Sequence, residues 1–213
     1  MAEALSNNQI FADLSRELAE VGRGFYARGW LLGTSGNLSA VVNREPLRLA
    51  ITSSGVDKGT LTAEHMLLID DRGSLLAGSG RPSAETLLHL AVVRQRGAGA
   101  VLHTHSVWSN ILSDAYGDVG FFKIAGYEML KGLSGISTHE HEEALPIIEN
   151  SQEMSSLSKA VEQKLIDYPD AHGFILRRHG MYTWGSDIAE AKRHVEILEF
   201  LFEVCGRKHL ASS

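Results

Sequence analysis

The chain has 213 residues, of which 44% are hydrophobic and 22% charged, with a formal net charge of −6. That is enough apolar side chain for one substantial core, and the dispersed basic residues argue against nucleic acid as a partner. No apolar run approaches the roughly 20 residues that span a bilayer, the first residues lack a basic region followed by an apolar one, and the lone Cys205 excludes an internal disulfide and fits a reducing compartment. The expectation is a cytoplasmic, membrane-free α/β protein, with residues 1–213 forming one domain.

In chain order, Phe11, Leu14, Leu18, Val21 and Phe25 recur at helical spacing and predict a first helix after Asn7 and Asn8, ending near Arg28. A turn-rich loop, GTSGNLS (33–39), leads to strand-like LSAVV and LRLAITSS, and a second small-residue loop, TSSGVDKG, covers 52–59. MLLIDDRGSLLAG reads as a hairpin turning around Asp71 and Gly73. Ser83 is the expected N-cap of a helix that Gly97 stops. A strand over VLHT follows, then a helix over SVWSNILSDAY, a strand over VGFFKI and a short helix over YEMLKGL. STHEHEEALPIIENSQ is expected to be a loop with one small strand inside it, and Ser156 to begin a helix reaching about Ile166. HGFILRRHGMYTWG gives two strands pivoting near His179 and Gly180. Asp187 and Glu190 form a capping box for the last helix, whose apolar face is Ile188, Ala191, Val195, Leu198 and Phe202. Hairpins alternating with helices, without a strict βαβ rhythm, predict a mixed sheet covered by helices on both faces.

His103 and His105, two residues apart on a strand, share one face. Zinc sites that do chemistry commonly use three protein ligands, so a third would come from His65, His89, His139, His141, His172, His179, His194 or His209. His179 stands out because Gly180 lets the backbone turn and aim its ring at a neighbouring strand. His139 and His141 repeat the spacing, but their polar surroundings read as a solvated loop. His89 and His194 fall within helices and read as packing or surface residues. Cys205 lies on an apolar helical face and reads as packing. The small-residue loops could converge backbone N–H groups and hydroxyls on a phosphate.

The ordered set TSGNLS, ITSSG, RPSAET, HTHS and RRHG resembles the class II (metal-dependent) aldolase and adducin family over nearly the whole chain. The resemblance implies a three-layer α/β/α fold with a central, mainly antiparallel mixed sheet. It also implies His103, His105 and His179 as ligands of one Zn2+ per subunit, with Fe2+, Mn2+ or Co2+ as other ions such ligands accept, and a homotetramer with sites at subunit interfaces. By family pattern, Ser35, Gly36, Asn37, Ser53, Ser54, Gly55 and Ser83 bind the substrate's phosphate, with Lys58 as its charge partner.

The segments FKIAGYEMLKG, LPIIEN and YPDAHGFILRRHGMYTWG are similar to the dehydratase branch of that family, in methionine salvage. They imply a hydro-lyase that converts 5-methylthioribulose 1-phosphate to 2,3-diketo-5-methylthiopentyl 1-phosphate and water. The resemblance points to Glu128 as the acid/base, with Glu85 as its rival because aldolase members place a glutamate after a similar segment. Either carboxyl needs its proton affinity tuned by partial burial to work near neutral pH. A sugar-phosphate aldolase or epimerase on the same metal site, and a non-catalytic adducin-like interaction module, are the alternative readings.

Overall fold

A computed structural model describes residues 2–212. Helix α1 (Ala2–Ala27) starts before Asn7 and lays Leu18, Val21 and Phe25 against the sheet. Strands β1 (Asn37–Arg44) and β2 (Leu47–Thr52) form the first hairpin, and β3 (Met66–Ile69) and β4 (Leu75–Ala77) the second. Helix α2 (Thr86–Arg96) starts two residues later than its Ser83 cap predicts. The Ser83 hydroxyl still accepts the Glu85 N–H at 3.2 Å, so it shapes the turn that enters the helix. Gly97, at φ 62°, closes the helix in the left-handed conformation.

Next come β5 (Ala100–Thr104), α3 (Val107–Tyr116), β6 (Phe121–Ala125) and a 3-10 turn over Glu128–Gly132. The last elements are β7 (Glu142–Ile148), α4 (Met154–Asp167), β8 (Gly173–Leu176), β9 (Gly180–Gly185) and α5 (Ile188–Ser212). The expected loop at THEHEE instead runs into a full strand, with Glu143 buried at its start. A buried carboxylate with hydrogen-bonding neighbours looks in sequence like a solvated one, which is why composition misread this segment. The predicted capping box forms by half: Asp187 accepts the Glu190 N–H at 2.8 Å, while the Glu190 carboxylate reaches back to the Ser186 N–H at 2.7 Å.

The nine strands lie in the order β4-β3-β2-β1-β5-β9-β8-β7-β6, and every described neighbouring pair is antiparallel except β7–β8. Alternation along the strands sends side chains to two cores. Leu102 and Leu145 join α1, α3 and α5 on one face, whereas Val101, Phe174 and Tyr182 join α2 and α4 on the other. The result is the expected three-layer α/β/α arrangement around a mainly antiparallel mixed sheet. No described helix is long and apolar enough to cross a membrane.

Candidate metal centre

The β5–β9 register pairs His103 with Tyr182 and Thr104 with Met181, so the chain entering β9 lies opposite the end of β5. His103 therefore faces the α2 layer, and His105, just past the strand, returns to the same side. Their ring centroids are 4.5 Å apart and their Nε2 atoms 2.8 Å apart. The approach depends on Gly180: a Cβ there would sit 2.1 Å from the Thr104 carbonyl oxygen and 3.0 Å from the His103 ring. Between β8 and β9, Arg178 takes a left-handed conformation at φ 55°, a costly one for a side chain of this size. Its N–H donates to Ser113 Oγ at 3.0 Å, and Asn110 holds the next carbonyl at 3.1 Å. This turn brings His179 to 4.5 Å from the His105 ring and 5.0 Å from that of His103.

Glu85, in the turn before α2, completes the group: its Oε1 lies 3.0 Å from His179 Nε2 and 3.7 Å from His103 Nε2. One donor atom from each of these four residues falls within 4.8 Å of the others. The chemistry of the set fits a divalent cation. His103 Nδ1 donates to the Met181 carbonyl at 2.9 Å, so the neutral ring turns an Nε2 lone pair toward the other three groups. Burial pushes the His103 imidazolium well below its ordinary range, and the other histidines push further. His105 is driven down to about 4 by burial and by His179. Burial alone would raise the Glu85 carboxyl, but the hydrogen bond from His179 and the charges of His103 and His179 hold it well below the usual range. Neutral imidazoles, as burial makes His103 and His105, and an ionised carboxylate are the protonation states that metal binding requires.

Behind these groups runs a buried polar chain that sequence reasoning missed. Asn37 Nδ2 donates to Glu85 Oε2 at 2.5 Å, its Oδ1 meets His89 Nε2, and His89 Nδ1 lies 2.7 Å from Ser39 Oγ. His89, wholly buried and held down to about 4 by its burial, is neutral. Tyr182 stacks on His103 at 3.9 Å and Phe174 on Tyr182 at 4.8 Å, fixing the plane of the first ring. Period-two spacing on β9 would have placed Tyr182 on this face, and nothing in the local sequence ties Asn37 to His89.

The remaining predicted residues separate. Ser54 and Ser83 line a cavity of about 840 Å³ beside Glu85 and His179, together with Arg72, Arg81 and Asn150, none of them among the candidates read from sequence. Gly36 takes φ 67° and packs against the His103 carbonyl, while the exposed Ser35 hydroxyl donates to Leu32 O at 2.7 Å. Ser53 is buried beside Gly80, and Gly55 turns the second loop at φ 77°. Lys58 is buried, and Nζ donates to the Thr34 and Val56 carbonyls at 3.0 and 2.9 Å, tying the two small-residue loops together and leaving one N–H for a ligand. Burial lowers its proton affinity, against the pull of Asp57 and Glu85. Glu128 is not in this group. It stands on the 3-10 turn after β6, its side chain 72% exposed and bonded to Lys131, in the layer that packs with α5 on the other face of the sheet. The Lys131 ammonium lowers its proton affinity.

The family model for the class II aldolase and adducin N-terminal domain matches residues 16–205. Methylthioribulose-1-phosphate dehydratase of Methylococcus capsulatus is 42% identical over 200 residues, covering 93% of this chain and 96% of the relative. The enzyme of the same name from Sorangium cellulosum is 40% identical over 195 residues, 91% of each chain. Among solved structures, the l-fuculose-1-phosphate aldolase of Thermus thermophilus superposes with a TM-score of 0.70 at 23% identity, covering 97% of this chain and 98% of that one. Another L-fuculose 1-phosphate aldolase gives 0.73 at 21% identity, over 93% and 87%. At those identities the superpositions speak for the fold.

Proposed function

The chain belongs to the class II aldolase and adducin family, and from that premise we propose that it dehydrates 5-methylthioribulose 1-phosphate to 2,3-diketo-5-methylthiopentyl 1-phosphate and water. The substrate rests on the likeness to the two dehydratases. The observation that carries the metal-dependent chemistry is the convergence of three imidazole Nε2 atoms and the Glu85 carboxylate. We read His103, His105 and His179 as the ligands of one zinc ion per chain. When bound, such a cation supplies positive charge that draws electrons from a substrate carbonyl as a neighbouring proton leaves. Neutral imidazoles leave that charge uncancelled.

The protein's own groups have three tasks. Arg72, Arg81, Ser54 and Ser83 border the cavity that would take the phosphorylated substrate, where arginine suits a phosphate. A carboxylate must take the C3 proton, and an acid must protonate the departing C4 hydroxyl; the resulting enol then tautomerises to the diketone. Glu128 is our acid/base, and Glu85, held by Asn37 and His179, is its rival.

Because Glu128 lies across the sheet from the histidines of its own chain, its role requires a neighbouring copy to supply it. We therefore take the active assembly to be a homo-oligomer, a tetramer by family likeness. The exposed apolar side chains of Met129, Phe200 and Leu210, on the 3-10 turn and α5, support a covered face there. We place the reaction in the cytosol, and we read the whole chain as one domain.

Incubating the purified protein with 5-methylthioribulose 1-phosphate should yield the diketone; retro-aldol cleavage without loss of water would overturn the assignment in favour of an aldolase. Mixing inactive His103→Ala with inactive Glu128→Gln should restore about a quarter of wild-type turnover, because in a symmetric ring one interface in four would then combine an intact histidine set with an intact glutamate. No recovery on mixing would refute the shared site.

A further inference from the structure

A second histidine–glutamate group lies at the opposite end of the sheet, beside a cavity of about 740 Å³. The two groups are separated by three residues of strand rise and by the three lateral steps from β5 across to β7, roughly 17 Å in all. At its centre is Glu143, whose side chain is 1% exposed. Its Oε2 lies 2.9 Å from His141 Nε2 and 2.9 Å from His172 Nδ1, and its Oε1 accepts the His172 backbone N–H at 2.8 Å. A buried carboxylate is costly unless paired, and here both pairing rings offer nitrogen donors at one oxygen.

The tautomer of His172 is set from behind. Its Nε2 is 2.8 Å from the Ser134 carbonyl, which can only accept, so Nε2 carries a proton, and the second proton, shared between Nδ1 and Glu143, is the one a cation would displace. The neighbouring His194 is already committed: Nδ1 donates to the Trp184 carbonyl at 2.7 Å, and Nε2 accepts the Ser134 N–H at 3.1 Å. His139, on the preceding turn, is exposed and outside the group. Three protein donors remain, and His141 and His172 both line the cavity.

We propose that His141 Nε2, Glu143 Oε2 and His172 Nδ1 form a second divalent-metal site of the zinc class, with an open coordination position toward the cavity. Two imidazoles and a carboxylate are a ligand set that zinc accepts. Bonds of about 2.0–2.2 Å in tetrahedral geometry set donor atoms about 3.3 Å apart, so the present contacts need to open by only about 0.4 Å. On binding, the ion takes the place of the proton that otherwise sits between His172 Nδ1 and Glu143, and that proton passes to solvent. The site also closes a loop of structure. The segment between β6 and β7 carries Glu128, is tied to α5 where Ser134 meets Glu190 and His194, and reaches Glu143 through His141. A metal here would tighten that segment at a distance from the first group.

The test is zinc content. Full-length wild type, His103→Ala, His141→Ala and the double variant are loaded with zinc, desalted and measured by plasma mass spectrometry, with circular dichroism to confirm folding. His141 is partly exposed on a turn, so its removal should spare the fold. The expected contents are about two ions per chain, then about one for each single variant, then about none. A content that His141→Ala leaves at the wild-type level, or a wild type holding a single ion that His103→Ala removes, would overturn the proposal. A wild-type content that only His103→Ala leaves unchanged would defeat the first metal centre and spare the second. Hydrogen exchange on His103→Ala supplies the independent readout: zinc should slow exchange in residues 126–141 at least tenfold, and unchanged exchange there would also overturn the proposal.

Discussion

Glu199 offers a prediction whose size follows from its surroundings. It sits on α5 beneath the end of β5, wholly buried, with Oε1 accepting the Thr104 hydroxyl at 2.8 Å and Oε2 without a partner among the described residues. Burial pushes its carboxyl up from 4.5 to about 7, against the pull of the nearby Ser106 and Thr104 hydroxyls. Below pH 4.5 the group is protonated both folded and unfolded and has no net effect on stability. Between pH 4.5 and 7 the unfolded chain ionises while the folded one resists, so stability falls as pH rises, and above 7 the loss is complete. At 1.36 kcal/mol per pH unit, the gap between 4.5 and about 7 comes to about 3 kcal/mol. Glu199→Gln keeps the oxygen that Thr104 needs and removes the ionisation. It should therefore be about as stable as wild type at pH 4.5 and about 2–3 kcal/mol more stable at pH 8, after allowing for an amide N–H left unpaired. For a chain of this length that corresponds to a rise in Tm of roughly 5–10 °C. Urea unfolding of both proteins across this range measures it, and the difference between them cancels every other titrating group. A variant less stable than wild type at pH 8, or a difference that does not change with pH, would refute the reasoning.

Two further substitutions probe how the first metal centre is held. A Cβ at Gly36 would sit 2.6 Å from the His103 carbonyl oxygen, and φ there is 67°; Gly36→Ala should cost about 2 kcal/mol or more and weaken zinc retention, as thermal melts and metal analysis would register. Melts and zinc content at wild-type values would contradict that packing. Asn37→Leu strands Glu85 Oε2 and His89 Nε2 without partners in a buried setting, at a cost of about 2–5 kcal/mol. A loss under 1 kcal/mol in denaturant titration would mean that water or a shifted side chain replaces the amide.

Much of the centre is legible along the chain. The His-x-His spacing places two rings on one face whatever the partners, because a strand alternates sides. The apolar stripe of α5, its Asp187 cap and the stop at Gly97 follow from local rules too, and all three are present. What local rules leave out shares a cause. Glu85, 18 positions before His103, joins the histidines only because β1 and α2 bring the first turn of the helix beside β5. Glu143 was read as solvated from its polar neighbours, yet those neighbours are the groups that permit its burial. Lys58 has the sequence surroundings of a free cation and is instead engaged by two carbonyls.

What the sequence determined by itself is therefore periodic and local: which side of a strand or helix each residue takes, where turns fall, and which donor types are available to a metal. Pairing across the sheet was decided by tertiary structure. The β5–β9 register sets His179 against His105, the layer order sends Glu128 to the far face, and the β7–β8 neighbourhood gathers His141, Glu143 and His172. Side-chain direction is a property of two or three consecutive residues, whereas the meeting of donor atoms from distant segments depends on strand order and on burial that no local window contains.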